Sequence, residues 1–162
     1  VRGERAGKEV ENYGDKHSAL RTGLVMDDGG GMLGLLKHLY QAGLGAKLGS
    51  GKQWMSPISL RDYVAATLHI VQEGIAGPVN LVGPPPVLNA EWHRELAAHV
   101  HKPGLLAVPG FAMKLALGDF AEQAALASQR VFPAVLDSSG FTFQDPTLED
   151  ILRAALPATP ES

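Results

Sequence analysis

The sequence predicts an α/β or α+β fold, and three observations carry that prediction. Strand-length apolar runs alternate with runs of helical period along the 162 residues. Gly and Pro stand between those runs, where chain reversals are needed. Hydrophobic residues make up 45% and charged residues 19%, a balance that supports one domain with a core or a substantial piece of a larger one.

The elements follow in order. Residues 1–15 mix both charge signs with few apolar anchors and read as a frayed or cut edge. "ALRTGLVM", from Ala19 to Met26, reads as a strand covered on both faces. "GMLGLLKHLYQAG" places Met32, Leu35, Leu36, Leu39 and Tyr40 on one helical face and ends at Gly43. "GAKLGSGKQWMSPISL" is a loop or a small extended pair. Ser59 then opens S-L-R-D, so its hydroxyl can accept from the Asp62 N–H while Asp62 suits the positive helix start. In that helix Leu60, Tyr63, Val64, Thr67, Leu68 and Val71 stand at core spacing, and Gly74 ends it.

"GPVNL" is a short strand closed by prolines, with Asn80 expected to satisfy backbone groups. Asn89 is expected to cap a helix that turns Trp92, Leu96 and Val100 inward before Pro103. "LLAVPG" reads as a further strand and "FAMKLALGDFAEQAALASQRV" as one or two helices. A helical turn, a bend at Gly140 and an extended "FTF" follow. The last helix starts near Asp145 or Thr147, carries Leu148, Ile151, Leu152 and Ala155 inward, and stops at Pro157.

Composition excludes several function classes. A net charge of −3 and a pI near 6.1 offer no basic face to nucleic acid. Without cysteine there are no disulfides, thiolate metal sites or Cys nucleophiles. His38, His69, His93, His99 and His101 fall in helical patterns, and none forms H-x-x-x-H, so no metal is expected. No apolar run approaches the roughly 20 residues of a membrane span, and no signal peptide opens the chain, so a cytoplasmic location is the default expectation.

Gly29, Gly31 and Gly34 have the spacing G-x-G-x-x-G of a dinucleotide-binding turn. That turn also needs a second parallel strand and an acidic residue about 20 positions on. Here the count lands in "GSGKQWM", which has neither acid nor strand character, and Asp27 and Asp28 would repel a pyrophosphate. "GAKLGSGKQ" lacks P-loop spacing, and no G-x-S-x-G is present. Ser138 and Ser139 fit a turn, while Glu149 and Asp150 suit a first helical turn.

The segments "LRTGLVMDDGGGMLGLL", "GAKLGSGKQWMSPISLRDYVAATLHIVQ", "GPVNLVGPPPVLNAEWHRELAAHVHKPGLLAVPGFAMKLALGD" and "QRVFPAVLDSSGFTF" together resemble the C-terminal half of a known family. It is the atypical extended short-chain dehydrogenase/reductases, relatives of NAD-dependent and sugar-nucleotide epimerases, whose last segment is a small domain of unknown function. The resemblance runs from Leu20 to Leu156. It implies an α/β fold, the C-terminal portion of a Rossmann-like extended short-chain dehydrogenase with a small α+β substrate domain. The implied division is 1–18 as a disordered or cut edge, 19–84 as late Rossmann elements with a substrate loop, 85–157 as the small domain, and 158–162 as a tail.

In such a family NAD or NADP moves hydride and a tyrosine moves the proton. The Y-x-x-x-K pair for this is not in the sequence: Tyr13, Tyr40 and Tyr63 are followed four positions on by His17, Leu44 and Thr67. No catalytic residue is therefore assigned, and the chain alone is expected to bind no cofactor. The resemblance places Arg21, Thr22 and Gly23 near the nicotinamide end of the cofactor, and Gln53 and Trp54 on the side of a small-molecule substrate. Met55 stands where nucleotide-sugar binders often carry an arginine, and Pro57, Ile58 and Ser59 replace Trp-Ile-His. If the 19–26 strand belongs to a larger sheet, its edge is open, so a homo-oligomer or a partner chain is expected there. The alternative function is a non-catalytic interaction or structural module acting through that edge.

Overall fold

A computed structural model describes residues 16–41, 50–100 and 128–156. The elements are β1 (Ser18–Thr22), β2 (Leu24–Met26), α1 (Gly31–Gln41), β3 (Trp54–Met55), β4 (Pro57–Ser59), α2 (Leu60–Gln72), β5 (Gly77–Leu81), β6 (Val87–Leu88), α3 (Asn89–His99), α4 (Ala134–Ser138) and α5 (Leu148–Ala155). The expected "LLAVPG" strand, the helices before residue 128, and the helix ends at Gly43, Pro103 and Pro157 lie outside the described residues.

The single strand expected over Ala19–Met26 is two strands, because Gly23 divides it. β1 pairs in parallel with β5, whereas β2 pairs in parallel with β4. The Gly23 N–H donates to the Leu81 carbonyl at 2.9 Å and the Leu24 N–H to that of Ser56 at 2.9 Å, so the chain steps from one partner to the other within one residue. A Cβ at Gly23 would stand 2.4 Å from the Ser56 carbonyl oxygen and 2.7 Å from Val82 Cγ1, a closeness only glycine permits. β3 and β6 form a short antiparallel pair.

β2, α1 and β4 make a β-α-β unit, which corrects the expectation of no second parallel strand after the glycines. That strand is Pro57–Ser59, fully buried and without an acidic residue. In α1 the inward face is Leu33 and Tyr40 with Leu36 packed beside them; Leu33, absent from the predicted face, is 1% exposed.

The ends of α2 form as the sequence predicts. Ser59 Oγ accepts from the Asp62 N–H at 3.2 Å. At the other end Gly74 takes φ +60° while the Gly74 and Ile75 N–H groups return to the carbonyls of Val71 and Ile70, closing the last turn. Its faces do not form as predicted. Ala66 and Ile70 enter the core with Val79, Leu81 and Leu136, whereas Leu60, Val64, Leu68 and Val71 are 43%, 48%, 56% and 73% exposed.

A second core joins α1, α3 and α5 through Leu33, Tyr40, Trp92, Leu96, Ile151 and Leu152. The predicted inward face of α5 is buried as expected, and Thr147 caps it by accepting from the Asp150 N–H at 3.1 Å. Asn89 does not cap α3. It sits buried inside the first turn, where its amide donates to Met55 Sδ and its backbone N–H to the Gln53 carbonyl. The "FTF" segment forms no strand; Phe141 and Phe143 meet edge to face at 4.9 Å beside the first core.

The start of α2 is tied to the loop before α5. Asp62 Oδ1 and Oδ2 accept from the backbone N–H groups of Gln144 and Asp145, each at 2.9 Å. Arg61 grips Asp145 with two donors, Nε at 2.6 Å and an Nη. This guanidinium, opposed by burial and helped by Ser59, holds the Asp145 carboxyl below the usual carboxylate range. A depressed folded pKa stabilises fully above the unfolded value of about 3.9 and is lost as pH falls through the folded one. Urea midpoints should therefore fall on acidification below about pH 4, with a shallower fall for Asp145→Asn. Parallel curves for the two proteins would remove Asp145 from the acid transition.

Candidate functional site

The rim of interest lies where β1 and β5 end. In open α/β sheets the carboxyl ends of parallel strands are where ligands are held. Arg21 and Thr22 are exposed at the end of β1, in register with Asn80 and Leu81. Gly23 follows at the crossing against Ser56.

Gln53 and Trp54 reach the same region through Ser56. The segment 128–131 runs beside β3: the Trp54 N–H donates to Ser128 Oγ at 3.1 Å and the Gln129 N–H to the Trp54 carbonyl at 3.3 Å. Ser56 Oγ donates to the Gln129 carbonyl at 3.0 Å and accepts from the Val131 N–H at 3.3 Å. On the other side of this strip Asn80 Nδ2 donates to the Phe132 carbonyl at 3.3 Å, the backbone bond expected of Asn80. The two groups of expected site residues are thus joined through Ser56 and residues 128–132.

Arg130 and Phe132 on this rim were not identified as site residues from sequence. The Arg130 guanidinium lies 4.6 Å over the Trp54 ring and 5.4 Å from that of Phe132. Stacking fixes a guanidinium while leaving its in-plane N–H donors free to hold an oxyanion. The signal was present as the "QRVFP" motif, but nothing in sequence spacing places residue 130 beside residue 54. Gln53 contributes a different feature: its Oε1 is buried and has no hydrogen-bond partner among the described residues. A buried acceptor of that kind favours a donor brought by a ligand.

Other groups fit catalysis poorly. Tyr40 is buried, its hydroxyl lies 2.5 Å from His93 Nδ1, and burial pushes its pKa up, the opposite of what a proton-transferring tyrosine needs. Among the described residues no cluster of His, Asp and Glu could hold a metal, and no helix is long and apolar enough to cross a membrane. The turn at Gly29 suits pyrophosphate no better than its sequence suggests. Asp28 engages Lys37 at 3.0 Å and Asp27 Oδ2 would stand 3.1 Å from a Cβ on Gly29, so carboxylates occupy the entry to α1.

Parallel strands joined by helical crossovers, with a shared rim at their carboxyl ends, define a portion of a Rossmann-like α/β protein. Residues 108–155 match a family described as a domain of unknown function, DUF1731. An epimerase family protein of Mycobacterium bovis is 41% identical over 150 residues, 92% of this chain and 50% of the relative. A human epimerase family protein solved with NADPH superposes with a TM-score of 0.77 at 25% identity, over 86% of this chain and 48% of that one. A nucleoside-diphosphate sugar epimerase of Corynebacterium glutamicum gives a TM-score of 0.70 at 33% identity, over 90% of this chain and 27% of that one. The chain spans about half the length of the curated relatives it matches. These matches make it similar to the C-terminal region of the extended short-chain dehydrogenase/reductases of epimerase type.

Proposed function

We propose that this chain is the substrate-side portion of an NAD(P)-dependent, epimerase-like oxidoreductase and is catalytically silent alone. The observation that carries the reading is the joining of Arg21–Gly23 to Gln53 and Trp54 through Ser56 on one rim. NAD(P), when bound, supplies hydride chemistry; Arg21, Thr22 and Gly23 would border its nicotinamide end. Trp54 offers a ring face and Arg130 a fixed cation for an anionic group of the substrate. Gln53 Oε1 would accept from a substrate hydroxyl. Met55 cannot supply charge where relatives often carry an arginine, and Arg130, over the Trp54 ring, would supply a cation to the same rim.

The test is NADPH titration followed by nicotinamide fluorescence. The chain alone should give no saturable signal below about 1 mM, whereas the chain joined in one polypeptide behind the remaining half of the Mycobacterium bovis relative should bind in the order of micromolar. Micromolar binding by the chain alone would overturn the reading.

A further inference from the structure

Residues 128–132 form neither helix nor strand, and Ser128, Gln129 and Arg130 are exposed. The local backbone of such a segment does not fix where an arginine side chain stands. The place of Arg130 over Trp54 therefore depends on tethers from elsewhere in the fold.

Two of those tethers flank Arg130 directly, and both belong to one hydroxyl. Ser56 Oγ donates to the Gln129 carbonyl at 3.0 Å and accepts from the Val131 N–H at 3.3 Å, so the residues before and after Arg130 are held by the same atom. A serine hydroxyl has one proton to give and lone pairs to receive, so the two bonds coexist and are lost together. Ser56 itself is 8% exposed and sits between β3, which carries Trp54, and the buried β4, so its own place is set by the strands. Its backbone faces the other part of the rim: the Ser56 carbonyl accepts from the Leu24 N–H at 2.9 Å and abuts Gly23. One residue thus sets the spacing between the Gly23 crossing and the Arg130 cation.

We propose that Ser56 is a positioning residue of this rim, whose hydroxyl holds Arg130 over Trp54 so that the guanidinium edge can meet an oxyanion of the substrate. The assignment rests on the reading of Arg130 as the cation for an anionic group, and adds the group that puts that cation in place. A stacked guanidinium recognises an oxyanion through its in-plane N–H fork, which is useful only when the fork is held in one orientation before the ligand arrives. Without the Ser56 hydroxyl, residues 129 and 132 keep their bonds to Trp54 and Asn80, so the segment stays on the rim. What is lost is the orientation of the residue between them.

The experiment is quenching of tryptophan fluorescence in the full chain, with iodide as the anionic probe and acrylamide as the neutral one. Trp92 is 2% exposed, so iodide reports on Trp54. Arg130→Gln should lower the ratio of iodide to acrylamide quenching about twofold, the loss of one screened charge 4.6 Å from the ring. Ser56→Ala should lower the ratio as far, and Ser56→Thr, which keeps the hydroxyl, should restore it. A role in stability alone would lower the melting temperature of Ser56→Ala and leave its ratio at the wild-type value, which overturns the proposal. So does a ratio equally low in Ser56→Ala and Ser56→Thr, since packing and not the hydroxyl would then place Arg130. If Ser56→Ala does not fold, Ser56→Cys serves: its thiol is a weaker donor and acceptor and should give an intermediate ratio, and a wild-type ratio overturns the proposal. Should Arg130→Gln shift the Trp54 emission without moving the ratio, the anionic-substrate reading fails, and the same emission shift in Ser56→Ala upholds the positioning role. If Arg130→Gln alters neither, no arginine stands over Trp54 and the proposal falls.

Discussion

Asp62→Ala is expected to destabilise the chain by about 3 to 4 kcal/mol, because it orphans two backbone donors, each worth roughly 1–3 kcal/mol when left unmet. The carboxylate accepts from the Gln144 and Asp145 N–H groups with one oxygen each, and Asp62 is 1% exposed. No water can replace it without opening the seam between α2 and the loop before α5. Such a loss is a large part of the 5–15 kcal/mol that holds a typical domain together. Asp62→Asn keeps one acceptor oxygen and should cost about half as much. Urea unfolding followed by circular dichroism decides the matter. A loss below about 0.5 kcal/mol for Asp62→Ala would mean the loop is held by its apolar contacts instead.

Gly23→Ala is the second large effect, expected at about 3 kcal/mol, the upper part of the usual range for overpacking. The added methyl meets the Ser56 carbonyl oxygen and Val82 Cγ1, and the first is backbone fixed by the Leu24 N–H, so the clash cannot be relieved by a rotamer change. The β1–β5 and β2–β4 pairs would have to separate. Gly30→Ala is the control, because nothing among the described residues lies within 4 Å of a Cβ there. A Gly23→Ala protein as stable as Gly30→Ala would show that the crossing at Ser56 relaxes freely. Because Gly23 is also proposed to border the cofactor, stability must be measured before any loss of binding is read as a loss of contact.

Both predictions concern residues whose types were legible in sequence and whose partners were not. Ser59 and Asp62 were readable as a helix start because a cap involves neighbours three residues apart. The Asp62 carboxylate instead turns to residues more than 80 positions away, a pairing that only the packing of α5 against β4 creates. Gly23 was legible only as one residue of the 19–26 strand and of the expected cofactor rim, and its role in dividing that strand depends on the approach of Ser56 and Val82. The rim followed the same rule. Arg21–Gly23 and Gln53–Trp54 entered through a family resemblance carried by short motifs, and their meeting through Ser56, with Arg130 over Trp54, depends on long-range contacts.

The helices divide the matter most clearly. In α5 the spacing of Leu148, Ile151, Leu152 and Ala155 sufficed, because a short helix with one apolar stripe has one way to bury it. In α2 two apolar stripes compete, and periodicity favoured the larger side chains. The structure instead buries Ala66 and Ile70 against Val79, Leu81 and Leu136, and leaves Leu60, Val64, Leu68 and Val71 outward. Sequence alone determined local matters: the Ser59 start and Gly74 stop of α2, and the start and inward face of α5. Tertiary structure decided which apolar face was core, which strands were partners and where the rim lay, because burial depends on what the rest of the chain brings alongside.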